Sequence, residues 1–362
     1  MISIRTRCLR DSFWTLAALC LALSVRAEKA EPVYWNVDDV KPGMTGYGIT
    51  VLKGTQTERF LVEVIGVLKS YSPGRDMILV RVAGLGLEKT GVMSGMSGSP
   101  VYVNEKLLGA IAFTWPFGKE PIGGITPFSQ MIEYSKQVTS KEQWISDHRE
   151  YLLDRPYLVA ADHESGTQAS ISIPASSSIP QAWGGQMVRL QTPLATSSMS
   201  TAAMEELTRV LGPMGMVPVQ GGAASEHILA EHMNAKIEPG GAMAVGLVTG
   251  DVSMSAIGTV TAVTGDRVHG FGHPFFGSGI CEFPLQTAYI HTVIPRQTVS
   301  SKMGSAISTV GKVDADVSTC VAGWLGKSAD MVPLTVHVQS NISSLDKVFK
   351  CQVVRDRLLL PP

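Results

Sequence analysis

Short apolar runs separated by turn residues dominate two stretches of the chain. Between residues 33 and 135, segments rich in Val, Ile, Leu and aromatic residues recur at intervals of about 8–15 residues, with Gly, Pro and Asn between them. The same pattern resumes from about Pro239, in segments such as GAMAVGLVTG and LQTAYIHTVI. Segments this short and this regularly spaced are typical of the strands of a β-sandwich or barrel. The pattern therefore predicts an all-β protein with two β units.

The polypeptide between these units has a different pattern. Apolar residues at helical spacing predict a helix that begins near Ser129 and includes charged positions up to Leu153. A stretch rich in Ser, Gly and Pro follows, and STAAMEELTRVLG then predicts a short helix capped by Ser or Thr. The next stretch, GPMGMVPVQGGAASEH, is typical of a loop.

These patterns divide the chain into four parts. The predicted parts are an N-terminal segment of residues 1–27, a β unit of residues 28–155, a partly helical connector of residues 156–238 and a second β unit of residues 239–362. The chain ends in an apolar, strand-like run, VVRDRLLLPP, which indicates either a docked last strand or a truncated product.

The N-terminal segment is typical of a secretory signal. Three arginines within the first ten residues precede the apolar run FWTLAALCLALSV, and small residues at Val25 and Ala27 suit cleavage after Ala27. The apolar run is short for a membrane span, so a retained anchor is the less favoured alternative. We expect an exported protein, periplasmic or extracellular, with no stable membrane span once the signal is removed.

Composition excludes some functions. Hydrophobic residues make up 44% of the sequence and charged residues 17%, and the net charge is −1. No long run of like charge occurs, so the sequence predicts no nucleic-acid partner. After signal removal Cys281, Cys320 and Cys351 remain, and their spacing fits no zinc pattern. We expect buried thiols, with a single disulfide as the alternative, and the sequence predicts neither a metal nor a cofactor.

The hexad GMSGSP, residues 95–100, is the first candidate for chemistry. It precedes VYVNEKLLGAIAF, which predicts a hairpin with its turn at Asn104 and Glu105. A glycine-flanked turn can aim the amides of Gly95 and Ser97 into one pocket, which is what an oxyanion requires. The alternative is a tight turn that needs small residues for steric reasons alone.

Two longer stretches around the hexad resemble a known family. The pattern G-x-S-G-x-P is that of trypsin-like double-barrel peptidases, and the stretch from Gly95 to Glu133 resembles the SpoIVB-type serine peptidases. The stretch from Lys41 to Leu68 resembles the strands that lead into that motif. The resemblance implies a trypsin-like pair of six-stranded β-barrels, a protein or peptide substrate, Ser97 as the nucleophile, and an oxyanion hole formed by Gly95 and Ser97.

The same family resemblance identifies a base. GTVTAVTGDRVHGFGHPFFG, residues 258–277, is similar to the family segment that carries the catalytic histidine, and this implies His273 as the general base. His269 lies four residues earlier, but the glycines nearby make the helical metal pair that this spacing can form unfavourable. The other histidines lie in polar or strand-like segments and are expected to be solvated or structural: His148, His163, His227, His232, His291 and His337.

The order of the two segments is unusual for the family. The family usually places the histidine before the serine, whereas here His273 follows Ser97. The resemblance therefore implies a circularly permuted order, with the Ser-bearing barrel first. Such an order is physically admissible because a catalytic triad is defined by geometry and not by chain order.

The acid of the triad is the least defined member. Asp76, in a strand-like run upstream of the hexad, is our predicted acid. Glu88 is closer to the hexad but is expected to be exposed, and Asp266 is close to His273 but is typical of a hairpin turn.

The sequence thus predicts an exported serine endopeptidase that acts through an acyl-enzyme. The alternatives are an inactive, peptidase-like protein-binding module and a peptidase limited to processing itself, for which the Ser- and Pro-rich connector is a plausible cleavage strip. The sequence indicates no oligomeric state.

Overall fold

A computed structural model describes residues 32–138, 187–339 and 346–356, and most of these residues lie in β-strands. The predicted signal of residues 1–27 lies outside the described residues. Among the described residues, no helix combines the length and the apolar character needed to cross a membrane.

The first β unit is a closed barrel. Its sheet has the order β4-β1-β2-β3-β6-β5-β7, and an additional β4–β5 pairing closes a ring of six antiparallel strands, with β7 outside the ring. In β2, Phe60, Val62 and Val64 are buried and alternate with exposed residues, as period-two side-chain geometry requires. The elements are β1 (Thr45–Thr50), β2 (Glu58–Ser72), β3 (Arg75–Ala83), α1 (Leu87–Thr90), β4 (Pro100–Val103), β5 (Lys106–Thr114), β6 (Ile122–Pro127), α2 (Phe128–Lys136) and β7 (Val188–Arg189), preceded by a 3-10 turn at Val37–Asp39.

The second β unit also closes. Its sheet has the order β16-β17-β10-β13-β14-β15-β12-β11-β8-β9, and a β10–β11 pairing closes a second ring of six strands. The elements are β8 (Thr192–Thr196), α3 (Thr201–Leu211), β9 (Met216–Gln220), α4 (Glu226–His232), β10 (Ala242–Gly250), β11 (Met254–Thr264), β12 (Arg267–Gly270), β13 (Gly279–Ile294), β14 (Ser301–Val317), β15 (Cys320–Leu325), β16 (Met331–Gln339) and β17 (Asp346–Val354), with a 3-10 turn at Gly212–Met214. The predicted all-β fold with paired barrels is confirmed.

Local turn chemistry was predicted well. Asn104 and Glu105 form the β4–β5 turn with φ values of 48° and 59°, as a two-residue hairpin turn requires. Helix α3 begins after Ser200, whose side chain accepts a hydrogen bond from the amide of Ala203.

The region between the barrels differs from the prediction in two respects. The stretch predicted to be a loop contains β9, which pairs in parallel with β8, and it also includes the start of α4. The helix predicted from Ser129 is α2, which ends at Lys136, and residues 139–186 lie outside the described residues. Since β7 pairs with β5 and β8 pairs with β11, strands of the predicted connector extend both sheets. The predicted domain boundaries themselves stay a prediction.

The two barrels pack directly on each other along what we call the seam. One apolar cluster combines barrel 1 residues such as Leu107 and Phe128 with the barrel 2 residues Ala262, Ala315 and Cys320. This shared core brings the loops that follow β3 and β12 to the same interface.

Candidate active site

The GMSGSP segment lies in a tight turn at the seam. We call residues 91–99, which include most of this segment, the nucleophile turn. Its backbone is held within barrel 1, where the Ser99 amide donates to Met96 O at 2.8 Å and the Gly98 amide donates to Ile111 O at 2.8 Å. Gly98 has a φ of 97°, and a Cβ at this position would lie 1.9 Å from the carbonyl oxygen of Thr259. Gly98 is therefore required both for the turn and for the close approach of barrel 2.

Ser97 lies at the centre of this turn and is fully buried. Its carbonyl accepts a 2.9 Å hydrogen bond from the amide of Thr259 on β11, which ties the turn to barrel 2. Its Oγ has no hydrogen-bond partner within residues 32–138, 187–339 and 346–356. Among the described residues, no acceptor is bonded to the amide of Gly95 or of Ser97. A buried hydroxyl and two unpaired amides thus occupy one turn, which is unusual because buried polar groups are normally paired.

The segment of barrel 2 that faces this turn is residues 271–278, which we call the histidine loop. Gly272 has a φ of 66° and packs against β5, since a Cβ there would lie 2.9 Å from Ala110 Cβ. Thr126 of β6 donates its hydroxyl to the Gly272 carbonyl at 2.6 Å. The histidine loop of barrel 2 is therefore seated on strands of barrel 1.

His273 is buried in this loop, with 1% of its surface exposed. Its Nδ1 lies 2.8 Å from the carbonyl oxygen of Pro274, and its Nε2 has no partner. Because a carbonyl only accepts, Nδ1 carries the proton and Nε2 has a free lone pair. Burial and then the charge of Arg189 lower the pKa of His273 to about 3, so the imidazole is neutral near pH 7.

A buried carboxylate, Asp316 on β14, holds the loop that carries His273. Its two oxygens accept from the amides of the four residues that follow Pro274, at 2.7–3.2 Å: Phe275, Phe276, Gly277 and Ser278. Burial raises the pKa of Asp316, and the four amide bonds oppose that rise. Arg189 adds a second support, because its guanidinium donates to Pro274 O at 3.2 Å and to Met214 O at 2.6 Å.

The structure brings Ser97 and His273 to the same seam. Thr259 lies between them, since its amide donates to Ser97 O and its carbonyl accepts from the amide of Phe271, two residues before His273. Ser97 Oγ and His273 Nε2 are both buried without partners, so the two atoms are not hydrogen-bonded to each other in this arrangement.

Comparison with known proteins now adds a family. A family model described as SpoIVB peptidase S55 matches residues 25–130. Over these residues the chain is similar to the SpoIVB peptidase family. The predicted resemblance is confirmed for these residues, which include the nucleophile turn. No curated protein and no solved structure gives a significant match.

The match ends before the histidine loop. It therefore supports a SpoIVB-type peptidase with a protein substrate, but it tests neither the assignment of His273 nor the predicted permuted order. Those two assignments rest on the sequence resemblance and on the position of the histidine loop at the seam.

The predicted acid lies elsewhere in the SpoIVB-type region. Asp76 on β3 accepts from Lys69 Nζ at 2.9 Å and from the Ser70 amide at 2.8 Å, and no hydrogen bond joins it to His273. Partial burial would raise the pKa of Asp76, but these two bonds hold it below the usual value. The structure thus brings Ser97 and His273 to one interface, and Asp76 lines a cavity at the same interface with Thr126 and Ser318 but bonds neither of them. The role of Asp76 as the triad acid stays a prediction.

The other candidates for the acid are similarly placed away from His273. Glu88 is exposed and accepts from the amide of Gly84 at 2.6 Å. Asp266 lies in the turn between β11 and β12, as its sequence context indicated.

His269 has a structural environment. Its Nε2 lies 3.1 Å from Ser135 Oγ of α2, and its ring packs edge-on against Phe128. Burial, followed by the charges of Arg267 and Lys136, lowers the pKa of His269 to about 3. His269 of barrel 2 therefore contacts helix α2 of barrel 1, outside the histidine loop.

Neither metal nor disulfide chemistry is evident in the part of the chain that the structure describes. Cys281, Cys320 and Cys351 are buried free thiols, as expected for small apolar side chains. Within residues 32–138, 187–339 and 346–356, no three side chains of His, Cys, Asp or Glu gather as metal ligands.

Two supports of this site had no motif in the sequence. Asp316 occurs in an ordinary alternating run, GKVDADV, and Arg189 follows a stretch that is typical of a linker. No local spacing or composition marks either residue, because each acts through a contact that is distant along the chain.

Proposed function

We propose that this protein is a serine endopeptidase in which Ser97 is the nucleophile and His273 is the general base. The observation that carries the proposal is the nucleophile turn, where a SpoIVB-type motif holds a buried, unpaired hydroxyl beside two unpaired amides. Burying a hydroxyl without a partner costs free energy, and a role in catalysis explains why this protein tolerates that cost.

The proposed reaction follows from these groups. Ser97 Oγ attacks the carbonyl carbon of a peptide bond while its proton passes to His273 Nε2. The amides of Gly95 and Ser97 donate to the resulting oxyanion. The imidazolium then gives its proton to the leaving amine, and the acyl-enzyme forms. A water molecule, deprotonated by the same imidazole, releases the acid product and restores Ser97.

The imidazole is oriented in an unusual way in this proposal. In a Ser-His-Asp triad a carboxylate accepts from Nδ1–H, fixes the tautomer and stabilises the imidazolium. Here the Pro274 carbonyl accepts from Nδ1, so it fixes the tautomer without supplying a full negative charge. For Asp76 to serve as the acid, its bonds to Lys69 and Ser70 would have to break.

The burial of both groups bears on how the enzyme works. Ser97 and His273 are 0% and 1% exposed, so a substrate reaches them only after the surrounding elements move apart. This observation favours, as a second candidate function, a peptidase that is restricted to its own chain or to one partner. Appearance of two fragments in the parent but not in Ser97→Ala would support that candidate.

A fluorophosphonate probe tests the main proposal. We expect the full-length chain to be labelled, with labelling lost in Ser97→Ala and reduced at least about 100-fold in His273→Ala, since general-base catalysis is worth that much or more. Ser198→Ala and His227→Ala are matched controls and should remain labelled, because Ser198 is exposed with its hydroxyl bonded to Asp251 O and His227 is exposed on α4.

Two results would contradict the proposal. Labelling that persists in Ser97→Ala would move the nucleophile to another residue. A folded parent that is not labelled would favour the protein-binding module instead.

We also propose that the protein is exported through its N-terminal segment, because that segment carries the basic, apolar and small-residue pattern of a signal. The mass of the N-terminus of protein recovered from the periplasm or medium should correspond to cleavage after Ala27. An intact N-terminus on membrane-bound protein would contradict this.

A further inference from the structure

Lys302, at the start of β14, is completely buried against the nucleophile turn. Its amide donates to Ser94 O at 2.9 Å, and the Ser94 amide donates to Ser300 O at 2.8 Å, so the two backbones are paired. Its aliphatic chain packs on Gly95, since a Cβ on Gly95 would lie 3.0 Å from Lys302 Cβ. A lysine of barrel 2 therefore borders the proposed oxyanion donor.

The amine of Lys302 reaches two hydroxyl groups. Nζ lies 2.7 Å from Thr50 Oγ1 and 3.5 Å from Thr259 Oγ1. Thr259 is the residue whose hydroxyl donates to Gly95 O at 2.9 Å and whose amide donates to Ser97 O at 2.9 Å. Thr50 also accepts from Ser99 Oγ at 3.0 Å. The amine is thus connected to both sides of Ser97 in the turn.

These contacts satisfy an uncharged amine better than an ammonium. A neutral amine has two N–H groups for two hydroxyl oxygens, whereas an ammonium has three. The third N–H of an ammonium would be buried without a partner unless it donated to a buried hydroxyl that itself lacks a hydrogen-bond partner. Among the described residues such hydroxyls are those of Ser97 and Ser301.

Within the part of the chain that the structure describes, no charged group compensates an ammonium at this place. The facing residues are Thr50 of β1, Thr259 of β11, the backbone of Ser94 and Gly95, and Val293, which is opposite Lys302 on β13. The ionisable groups of the packed strands have other contacts: Tyr47 bonds Glu105, Glu282 pairs with Lys312, Tyr289 packs on His232 and His291, His291 bonds Ser305, Arg267 pairs with Asp314, and Asp316 holds the histidine loop.

We propose that Lys302 is a positioning residue of the active site, and that Ser97 reacts only while the Lys302 amine is uncharged. The inference rests on the proposed function of Ser97. As an ammonium, Lys302 would donate its third N–H to Ser97 Oγ and occupy the lone pair that attacks the carbonyl. As an amine, it holds Thr50 and Thr259 in place and leaves Ser97 free.

The titration of the site supports this assignment. Burial lowers the pKa of Lys302 to about 7, whereas the pKa of His273 is lowered to about 3 by burial and by Arg189. His273 is therefore already neutral above about pH 4, and Lys302 is the group at the nucleophile turn that changes charge near neutral pH.

The test is the rate of fluorophosphonate labelling between pH 5 and pH 9. In the parent we expect the rate to fall about tenfold for each pH unit below about pH 7 and to be constant above it. In Lys302→Met, which has a similar length and no charge, the rates at pH 5.5 and pH 8 should agree within about threefold. Lys312→Met, on the same strand but partly exposed and paired with Glu282, should keep the profile of the parent.

A second variant and a second measurement guard against misfolding of Lys302→Met. Thr50→Val removes a hydrogen-bond acceptor of the ammonium, so the pH below which the labelling rate falls should move at least about half a unit lower. The folding stability of the parent should rise between pH 7 and about pH 8.5, because in that range the unfolded chain binds a proton at Lys302 and the folded chain does not. Above that range the raised pKa values of the buried Cys281 and Cys320 act in the opposite direction.

The outcomes separate the two proposals. A parent that is folded but unlabelled at every pH overturns the proposed function, and this inference with it. Other results overturn the inference alone. The first is a labelled parent whose labelling rate shows no step near pH 7, and the second is a step that persists in Lys302→Met or is unmoved in Thr50→Val. The third is a folded Lys302→Met that is unreactive at every pH.

Discussion

The nucleophile turn and the histidine loop meet at one seam, but they are held in different ways. The nucleophile turn is fixed by many separate bonds, both to barrel 1, such as that from the Gly98 amide to Ile111 O, and to Thr259 and Lys302 of barrel 2. In the histidine loop, one distant carboxylate, Asp316, binds four consecutive amides. The conformation of the first depends on glycines within the turn, whereas that of the second depends on a side chain 38–41 residues away along the chain.

This difference indicates where each half of the site is vulnerable. Substitutions that disturb the nucleophile turn act through backbone conformation and close approach, whereas the histidine loop loses four amide bonds at once if the side chain of Asp316 is removed. The two halves should therefore respond to different kinds of mutation.

The largest effect is expected from Asp316→Ala. Four consecutive amides would lose their acceptor, and a loss of about 3–5 kcal/mol in the free energy of unfolding is expected when one partner of a buried charged network, here the fully buried Asp316, is removed. Chemical denaturation measures it. Asp330→Ala is the control, because Asp330 is exposed and paired only with exposed Arg355, so its loss should cost less than about 1 kcal/mol. Equal losses of the free energy of unfolding in Asp316→Ala and Asp330→Ala would contradict the role given to Asp316.

A somewhat smaller effect is expected from Gly98→Ala in the nucleophile turn. The new Cβ would meet Thr259 O at 1.9 Å at a φ of 97°, so we expect a loss of about 2–4 kcal/mol from strain and displacement of barrel 2. Gly86→Ala is matched, since Gly86 has a φ of 78° in the left-handed helical region but no atom within 4 Å of its added Cβ. It should lose only about 1 kcal/mol, from the backbone strain alone. A stability of Gly98→Ala equal to that of Gly86→Ala would show that the barrels do not approach closely here.

The smallest effect concerns the electrostatics of the histidine loop. In Arg189→Met the nearby positive charge is removed, so the pKa of His273 should rise, while burial should still keep it below the usual value. NMR titration of the histidine ring protons measures the change. Arg209→Met, which removes an exposed arginine paired with Glu206 on α3, should leave the pKa of His273 unchanged. A fall in the His273 pKa in Arg189→Met would contradict this explanation.

Features with a local signature could be predicted from the sequence. The hairpin turn at Asn104 and Glu105, the Ser200 helix cap and the glycine-flanked turn at Ser97 all depend on residues within a few positions of one another. Local hydrogen bonding and allowed φ values determine these features, so composition and spacing are sufficient to recognise them.

Features that depend on distant contacts could not be predicted in this way. Asp316 and Lys302 both lie on β14, and the sequence of that strand does not reveal which of its polar side chains face the seam. The contact between His273 Nδ1 and Pro274 O involves a backbone carbonyl, which every residue has. Asp76 had a suitable sequence context, but hydrogen bonds to Lys69 and Ser70 engage its carboxylate.

Both flanks of residues 139–186 are attached to the body of the protein by non-covalent contacts. On one side Ser135 of α2 contacts His269, and on the other β7 pairs with β5 while Arg189 binds Pro274 O. A chain nicked within residues 139–186 should therefore remain a single particle on a native gel and separate into two fragments only in denaturant. Co-expressed halves divided in this segment should, by the same contacts, reassemble as a split protein.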